Sequence, residues 1–146
     1  MELQEISDRI EITELLSRYC HALDRKDWQA FHACFCPDAE LDFSAFGGPK
    51  GGVAELEAFL TPVLNSLANA QHMIASIMID LNSDTARVRS AGLVPMITRA
   101  EDGSEQPTFN GLWYEDECVR TDSGWHFRSR VQIRAWVHTP LNSTIR

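Results

Sequence analysis

Residues 72–98, HMIASIMIDLNSDTARVRSAGLVPMIT, decide the fold of this chain. Two long runs rich in branched and apolar residues, Met73–Leu81 and Thr85–Thr98, flank the short polar break Asn82-Ser83-Asp84. Branched residues favour strands, and asparagine, serine and aspartate are frequent in turns. The stretch therefore predicts a β-hairpin built from two long strands.

The same pattern continues towards the C-terminus. Thr108–Thr121 and Trp125–His138 are also rich in branched and aromatic residues, and Asp122-Ser123-Gly124 separates them. Ala100–Gln106 forms a further polar break before this pair. Strand-forming runs joined by short turns predict an antiparallel meander.

Three segments in the N-terminal half show helical spacing instead. Apolar side chains recur every three or four residues over 4–23, over Trp28–Phe35 and over Val53–Leu67, and this spacing predicts three helices. Ser7 or Asp8 is a candidate cap for the first helix, because both side chains can accept a hydrogen bond from the backbone of the first turn.

Shorter features complete the prediction. Ala39–Phe43 alternates with a period of two, which is typical of a strand, and the glycine-rich stretch Gly47–Gly52 predicts a flexible turn. The second helix is expected to end at Cys36-Pro37-Asp38. Pro62 is expected to kink or interrupt the third helix.

Helices first and a meander afterwards form an α+β pattern. A chain of 146 residues is long enough for one domain and short for two, so a single domain over 1–146 is expected. A long bent sheet wrapped around three N-terminal helices encloses an interior pocket. The expected architecture is a cone-shaped α+β barrel with a strongly curved, mostly antiparallel sheet.

The net charge of −8 argues against nucleic acid or an anionic membrane as a partner. No apolar run approaches the ~20 residues that a membrane-spanning helix needs. The N-terminal stretch Met1–Glu5 is acidic and lacks the pattern of a signal peptide. The cytoplasm is therefore the expected location.

The cysteines are expected to be reduced and mostly buried; they are Cys20, Cys34, Cys36 and Cys118. The Cys34-Phe35-Cys36 motif has no second Cys/His pair at zinc-site spacing. The histidines form no ligand set with nearby acids. Neither a metal nor a cofactor is therefore expected.

Three side chains carry the candidate chemistry. Tyr19 and Asp24, near the end of the first helix, offer a phenol and a carboxylate, and His72 offers an imidazole. Histidine titrates near neutral pH, so it suits the removal of a proton from carbon, and a carboxylate can fix its tautomer. Tyr19 and Asp24 stand about 140° apart on an ideal helix, so they share a pocket only if the helix ends near Leu23.

The order of elements and several local motifs resemble a known family. The motifs are Ile12–Tyr19, Leu23-Asp24, Asp27-Trp28, Phe35–Ala39 and Asp122–Phe127. They are similar to the SnoaL-like, scytalone dehydratase-like branch of the nuclear-transport-factor-2-like superfamily, and the similarity extends from about residue 5 to 138. The resemblance implies the cone fold, a fold that hosts many chemistries.

The resemblance also implies roles for single residues. Scytalone dehydratase, bile-acid 7α-dehydratase and hexachlorocyclohexane dehydrochlorinase use an aspartate and a histidine at the places of Asp24 and His72. Tyr19 and Arg134 match a tyrosine and an arginine of the bile-acid enzyme. One departure is that Ala91–Pro95 stands where that enzyme has a further acidic residue on a middle strand.

Large apolar side chains are expected to line the pocket and to select a small hydrophobic organic molecule. These candidate substrate-binding residues are Trp28, Phe43, Phe59, Met73, Trp113 and Trp136. A packed core would account for the same residues.

The leading hypothesis is a cofactor-independent lyase, a dehydratase or related β-eliminase, and an isomerase or cyclase using the same base is a close variant. The alternative is a non-catalytic cone, either a ligand-binding module or the small subunit of a ring-hydroxylating oxygenase. That alternative predicts that the Asp24 and His72 side chains lie apart and that bulky residues fill the interior of the cone. An open curved sheet leaves an apolar outer face that has to be covered from water, so a homodimer or homotrimer is expected.

Overall fold

A computed structural model gives the structure of the chain and describes residues 1–140. The helices are α1 (Leu3–Arg25), α2 (Trp28–Ala33) and α3 (Val53–Ser66), with a 3-10 turn at Ser44–Phe46. The strands are β1 (Phe35–Asp42), β2 (Lys50–Gly51), β3 (Asn69–Ala70), β4 (Met73–Asn82), β5 (Thr85–Arg99), β6 (Glu105–Thr121) and β7 (Gly124–His138).

The strands form one sheet in the order β2-β1-β7-β6-β5-β3, and β4 also pairs with β5. The pairing of β1 with β7 is parallel, and the other pairings are antiparallel. The sheet is curved and remains open. The predicted α+β cone is confirmed, with three helices and a mostly antiparallel sheet, although the sheet does not close into a barrel.

Helix α1 contacts β4 and β7 and supplies much of the core. Its inward face carries Ile12, Leu15, Leu16 and Tyr19, each 0% exposed. Burying a large apolar side chain contributes on the order of 1.5–3 kcal/mol, so this face is a main source of stability. The same face ends at the site described below.

The second helix is shorter than predicted, and the strand after it begins earlier. Helix α2 ends at Ala33, and β1 begins at Phe35 rather than at Ala39. Phe35 pairs with Phe127 of β7, whose N–H donates to the carbonyl of Cys34 at 2.9 Å. Sheet pairing therefore overrides the helical spacing of this segment.

Three other local predictions were wrong in detail. Asp8 does not cap α1, which begins at Leu3; it is buried within the helix and accepts from the indole N–H of Trp125 at 3.0 Å. The glycine-rich turn contains the short strand β2. Helix α3 continues through Pro62, so the proline does not interrupt it; Ala58, whose carbonyl loses its donor, is an exposed residue.

The three helices described in residues 1–140 include none with the length and apolarity needed to cross a membrane.

Candidate active site

The end of α1 lies beside the start of β4. Lys26 takes a left-handed conformation with φ 55° and its N–H donates to the carbonyl of Leu23, which terminates the helix just after Asp24. On the other side, the N–H of Gln71 donates to the carbonyl of Pro95 in β5 at 3.1 Å. Backbone pairing therefore positions His72 opposite the last turn of α1.

The Asp24 carboxylate binds both the ring and the backbone N–H of His72. The ring Nδ1 lies 2.6 Å from Asp24 Oδ1, and the His72 N–H donates to Oδ2 at 2.9 Å and to Oδ1 at 3.1 Å. The His72 side chain is 7% exposed and that of Asp24 is 20% exposed. A carboxylate that accepts at Nδ1 leaves Nε2 as the unprotonated ring nitrogen, the atom that can act as a base.

Tyr19 lies beside His72. The two rings meet edge to face, with centroids 6.4 Å apart and planes at 90°. Burial, reinforced by the nearby Tyr114, raises the pKa of Tyr19 well above its usual value. The phenol is therefore neutral, and it is a hydrogen-bond donor rather than a base.

A cavity of about 220 Å³ opens next to these groups. Its polar lining consists of Tyr19, His72, Asn110 and Gln132. The remaining lining is apolar and comprises Leu23, Phe43, Phe46, Phe59, Leu60, Val63, Leu64, Val94, Met96 and Leu112. The imidazole is thus part of the wall of a largely apolar hollow suited to a small hydrophobic molecule.

A buried ion pair lies behind Tyr19. Arg130 donates from Nε to Asp116 Oδ1 at 2.7 Å and from Nη2 to Oδ2 at 3.1 Å, and both side chains are 0% exposed. The guanidinium Cζ lies 4.2 Å from the ring centroid of Tyr19 and 3.8 Å from that of Tyr114. Burial alone would lower the pKa of Arg130, but the Asp116 carboxylate together with Tyr19 and Tyr114 outweighs burial and raises that pKa.

Some of the predicted site residues lie at the cavity, and others lie away from it. His72, Tyr19, Phe43 and Phe59 line the cavity, and Asp24 contacts His72. Arg134 is exposed, although its pairing with Leu112 places it on the cavity side of the sheet.

The other predicted lining residues lie elsewhere. Trp28 is half-buried and packs edge to face on Phe31, with ring centroids 5.5 Å apart. Met73 is 40% exposed on β4. Trp113 contacts the Arg89 guanidinium, 4.9 Å from the ring centroid.

Trp136 is 49% exposed and covers Gly111. A Cβ on Gly111 would lie 2.2 Å from the indole Cε2, so this approach requires a glycine.

The sequence reasoning missed four polar residues of this region: Asn110, Asp116, Arg130 and Gln132. Asn110 donates from Nδ2 to the Val94 carbonyl at 3.0 Å, which fixes its amide at the cavity wall. Asn110 and Asp116 share the inner face of β6 by simple alternation, and that alternation was a usable signal.

The thiols are separate from this site. Cys20, Cys34 and Cys118 are buried and Cys36 is half-buried, and all are free. Burial raises the pKa of the Cys20 and Cys34 thiols to about 11, so both are protonated near neutral pH. Within residues 1–140, no cluster of three or more histidine, cysteine, aspartate or glutamate side chains could hold a metal ion.

Comparisons with known proteins identify the family and the fold of the chain. The chain is 34% identical to the uncharacterized protein Rv2910c of Mycobacterium tuberculosis over 136 residues, which cover 93% of this chain and 91% of that protein. Kfla4162 of Kribbella flavida superposes with a TM-score of 0.82 at 23% identity, covering 92% of this chain and 95% of that one.

A hexachlorocyclohexane dehydrochlorinase, LinA type 2, superposes with a TM-score of 0.81 at 17% identity, covering 100% of this chain and 97% of that one. At such identities the structural likeness shows the fold alone. Residues 4–131 match the SnoaL-like domain. On the strength of that match and of the cone fold, the chain belongs to the SnoaL-like family.

Proposed function

We propose that the chain is a cofactor-independent lyase acting on a small hydrophobic carbonyl compound. It removes a proton from the carbon beside the carbonyl group and expels a β-substituent. The observation that supports the proposal is the 2.6 Å contact between Asp24 and His72 Nδ1 at the wall of an apolar cavity.

The chemistry requires a base, a partner for its cation and a donor for the developing oxyanion. His72 Nε2 takes the proton from carbon, and the Asp24 carboxylate stabilises the imidazolium that forms. The neutral phenol of Tyr19 can donate to the enolate oxygen. The electron pair of the C–H bond then forms the carbon–carbon double bond, and the β-substituent leaves with the electrons of its own bond.

The apolar wall strengthens each of these interactions. Charges attract more strongly where water is excluded, and ten of the lining side chains are apolar. A base placed in such surroundings faces little competition from solvent for the substrate proton.

The geometry supports an enzyme over a non-catalytic cone. A binding module or an oxygenase small subunit has no need for a carboxylate held against a histidine, and a plugged interior is expected for it. Here Asp24 and His72 are in contact beside an open cavity. An isomerase would use the same base, and it differs in returning the proton to another carbon.

Hydrogen exchange at carbon tests the base directly. The probe is 1-tetralone, a neutral ketone of suitable size, incubated with the protein in D2O while NMR follows the loss of its α-proton signal. We expect the wild-type protein to accelerate exchange and His72→Asn to reduce the acceleration by about 10²–10⁴-fold.

The matched control is His21→Asn, which changes an exposed histidine on α1. It is expected to keep the wild-type rate. Unchanged exchange in His72→Asn would remove His72 as the base and, with it, the proposed elimination.

A further inference from the structure

The side of the sheet that faces away from the cavity exposes large apolar side chains. Helix α1 packs on the cavity side, where Tyr19 meets Tyr114 of β6 with ring centroids 6.0 Å apart. On the opposite side, Met73 is 40% exposed, Met78 is 73% exposed and Trp136 is 49% exposed. These three side chains lie on the first and the last of the four long strands.

Sheet register joins two of these side chains into one apolar row. Met73 pairs with Leu93 on β5, and Leu93 pairs with Gly111 on β6. Gly111 in turn pairs with Trp136 on β7. Val94, the neighbour of Leu93, lines the cavity, so the alternation of a strand points this row away from the cavity.

A second apolar row lies beside the first. Ala75 pairs with Ala91, and Ala91 pairs with Trp113. Trp113 pairs with Ile133 on β7. Both rows cross all four long strands, and a contiguous apolar patch of this kind marks an interaction surface.

Two charged rows border the apolar rows. Arg89 pairs with Glu115 and Arg87 pairs with Glu117, so both arginines lie on β5 and both glutamates lie on β6. Asp80 on β4 pairs with Arg87 and adds one negative charge. The surface is thus close to neutral in a chain of net charge −8. Nearly balanced charges suit a second copy of the same surface better than a strongly acidic or basic partner.

We call these four rows, on β4, β5, β6 and β7, the outer sheet face. We infer that a second copy of the chain covers the outer sheet face, with a two-fold axis parallel to the strands and midway between β5 and β6. Sheets that pack face to face keep their strands aligned to within about 30°, and this axis meets that requirement. The inference does not depend on the proposed function, because the cavity lies on the other side of the sheet.

This axis brings opposite charges together. It sets β5 of one copy against β6 of the other, so Arg89 faces Glu115 of the partner subunit and Arg87 faces Glu117 of the partner subunit. An axis across the strands would set β5 against β5, which contains no acidic residue. A two-fold contact requires a self-complementary pattern, and the axis parallel to the strands provides it.

The same axis sets large side chains against small ones. Ala91 faces Trp113 of the partner subunit, since β5 lies against β6. Ala75 faces Ile133 of the partner subunit, since β4 lies against β7. The space above each alanine is therefore filled by a large side chain from the other copy, as close packing requires.

The outer sheet face approaches the size that a stable dimer needs. Four strands and four rows span about 20 Å by about 27 Å, roughly 500 Å² in projection. Protruding side chains such as Met73 and Trp136 raise the accessible area above the projected one. A specific interface buries about 800 Å² per partner.

Charge exchange between β5 and β6 tests the axis. Sedimentation velocity over a range of concentrations measures the mass, and we expect the wild-type protein to have twice the 16.5 kDa mass of one chain. The variants Arg87→Glu/Arg89→Glu and Glu115→Arg/Glu117→Arg each set like charges across the axis. Each alone is expected to raise the dissociation constant at least about tenfold.

Mixing the two charge variants is expected to restore the dimer. In the mixture, each glutamate on β5 of one variant faces an arginine on β6 of the other, and the reverse pairing joins the remaining strands. A loss of stability within one chain cannot explain this rescue, because mixing leaves each chain unchanged.

Ile10→Glu is the matched control, since Ile10 is 56% exposed on α1, outside the outer sheet face. It is expected to keep the wild-type mass. Circular dichroism verifies the fold of each variant. If a charge variant does not fold, Ala75→Glu is measured instead, because Ala75 is exposed on β4; its carboxylate would face Ile133 of the partner subunit and raise the dissociation constant at least about tenfold.

Four results would overturn the inference: a monomeric or trimeric wild-type protein, an unchanged dissociation constant in a folded charge variant or in folded Ala75→Glu, no heterodimer on mixing, or dissociation of the dimer by Ile10→Glu. The last result would place the contact on α1. The exchange of the 1-tetralone α-proton is a separate measurement, so the dimer and the proposed function stand or fall independently.

Discussion

Asp24 contacts His72 at the ring Nδ1 and at the backbone N–H, within 2.6–3.1 Å. Asparagine at this position has the same size and can still accept hydrogen bonds, but it lacks the charge that stabilises an imidazolium. We predict that Asp24→Asn lowers kcat for proton exchange from a ketone by about 10²–10⁴-fold and changes KM by less than about threefold. The NMR exchange assay with 1-tetralone at several concentrations measures both.

Asp27→Asn provides the residue-level control. Asp27 caps α2 by accepting from the Ala30 N–H at 3.0 Å, and asparagine is an equally good cap. The exchange rate of Asp27→Asn is expected to match that of the wild-type protein. If Asp24→Asn instead raised KM and left kcat unchanged, the carboxylate would only shape the cavity.

At the scale of elements, local periodicity predicted the helices and the four long strands because each buries one face. It could not predict which residues of β7 face inward. The register shifts between Glu117, which pairs with Ser129, and Cys118, which pairs with Phe127. The inward face therefore passes from Phe127 to Arg130, and a strict count of two misses the arginine.

The candidate site, too, was predicted in part. His72 and Asp24 were predicted from their positions in a family resemblance, and the structure brings them into contact. Trp113 and Trp136 were predicted to line the pocket from their size alone. Size does not report the face of a strand, and the sheet presents these side chains away from the cavity lining.

Asp8 joins α1 to the hairpin of β6 and β7. Its carboxylate accepts from Trp125 Nε1 at 3.0 Å, from Gln4 at 3.0 Å and from Arg120 at 2.8 Å. Burial opposes its ionisation, but the bonds from Trp125 and Gln4 and the charge of Arg120 outweigh burial and lower the pKa of Asp8. A lowered pKa in the folded state means that the ionised carboxylate stabilises the fold.

We predict that Asp8→Asn lowers the free energy of unfolding at pH 7 by about 1–2 kcal/mol. This contribution is complete above the unfolded pKa of about 4 and is lost as the pH falls through the lower folded value. The difference between variant and wild type should therefore shrink below pH 4. Urea unfolding at a series of pH values measures it, and Asp122→Asn, in the exposed turn of the same hairpin, should show no such difference.

At the scale of the whole molecule, the Arg130–Asp116 pair is a charged group in the centre of the core. Replacing one partner leaves an uncompensated buried charge, and such changes cost about 3–5 kcal/mol. Replacing both with apolar residues removes two charges whose desolvation opposed folding. We predict that Arg130→Met is strongly destabilised and that Arg130→Met/Asp116→Leu recovers most of the loss, as measured by urea unfolding at pH 7.

The double variant also separates stability from function. A fold can dispense with the pair, since apolar side chains fill such a space as well or better. The double variant should therefore fold with near wild-type stability and keep the His72-dependent exchange of the 1-tetralone α-proton. A double variant that is as unstable as Arg130→Met would show instead that the pair is retained for the fold, because its geometry stabilises the packing of α1 on the sheet.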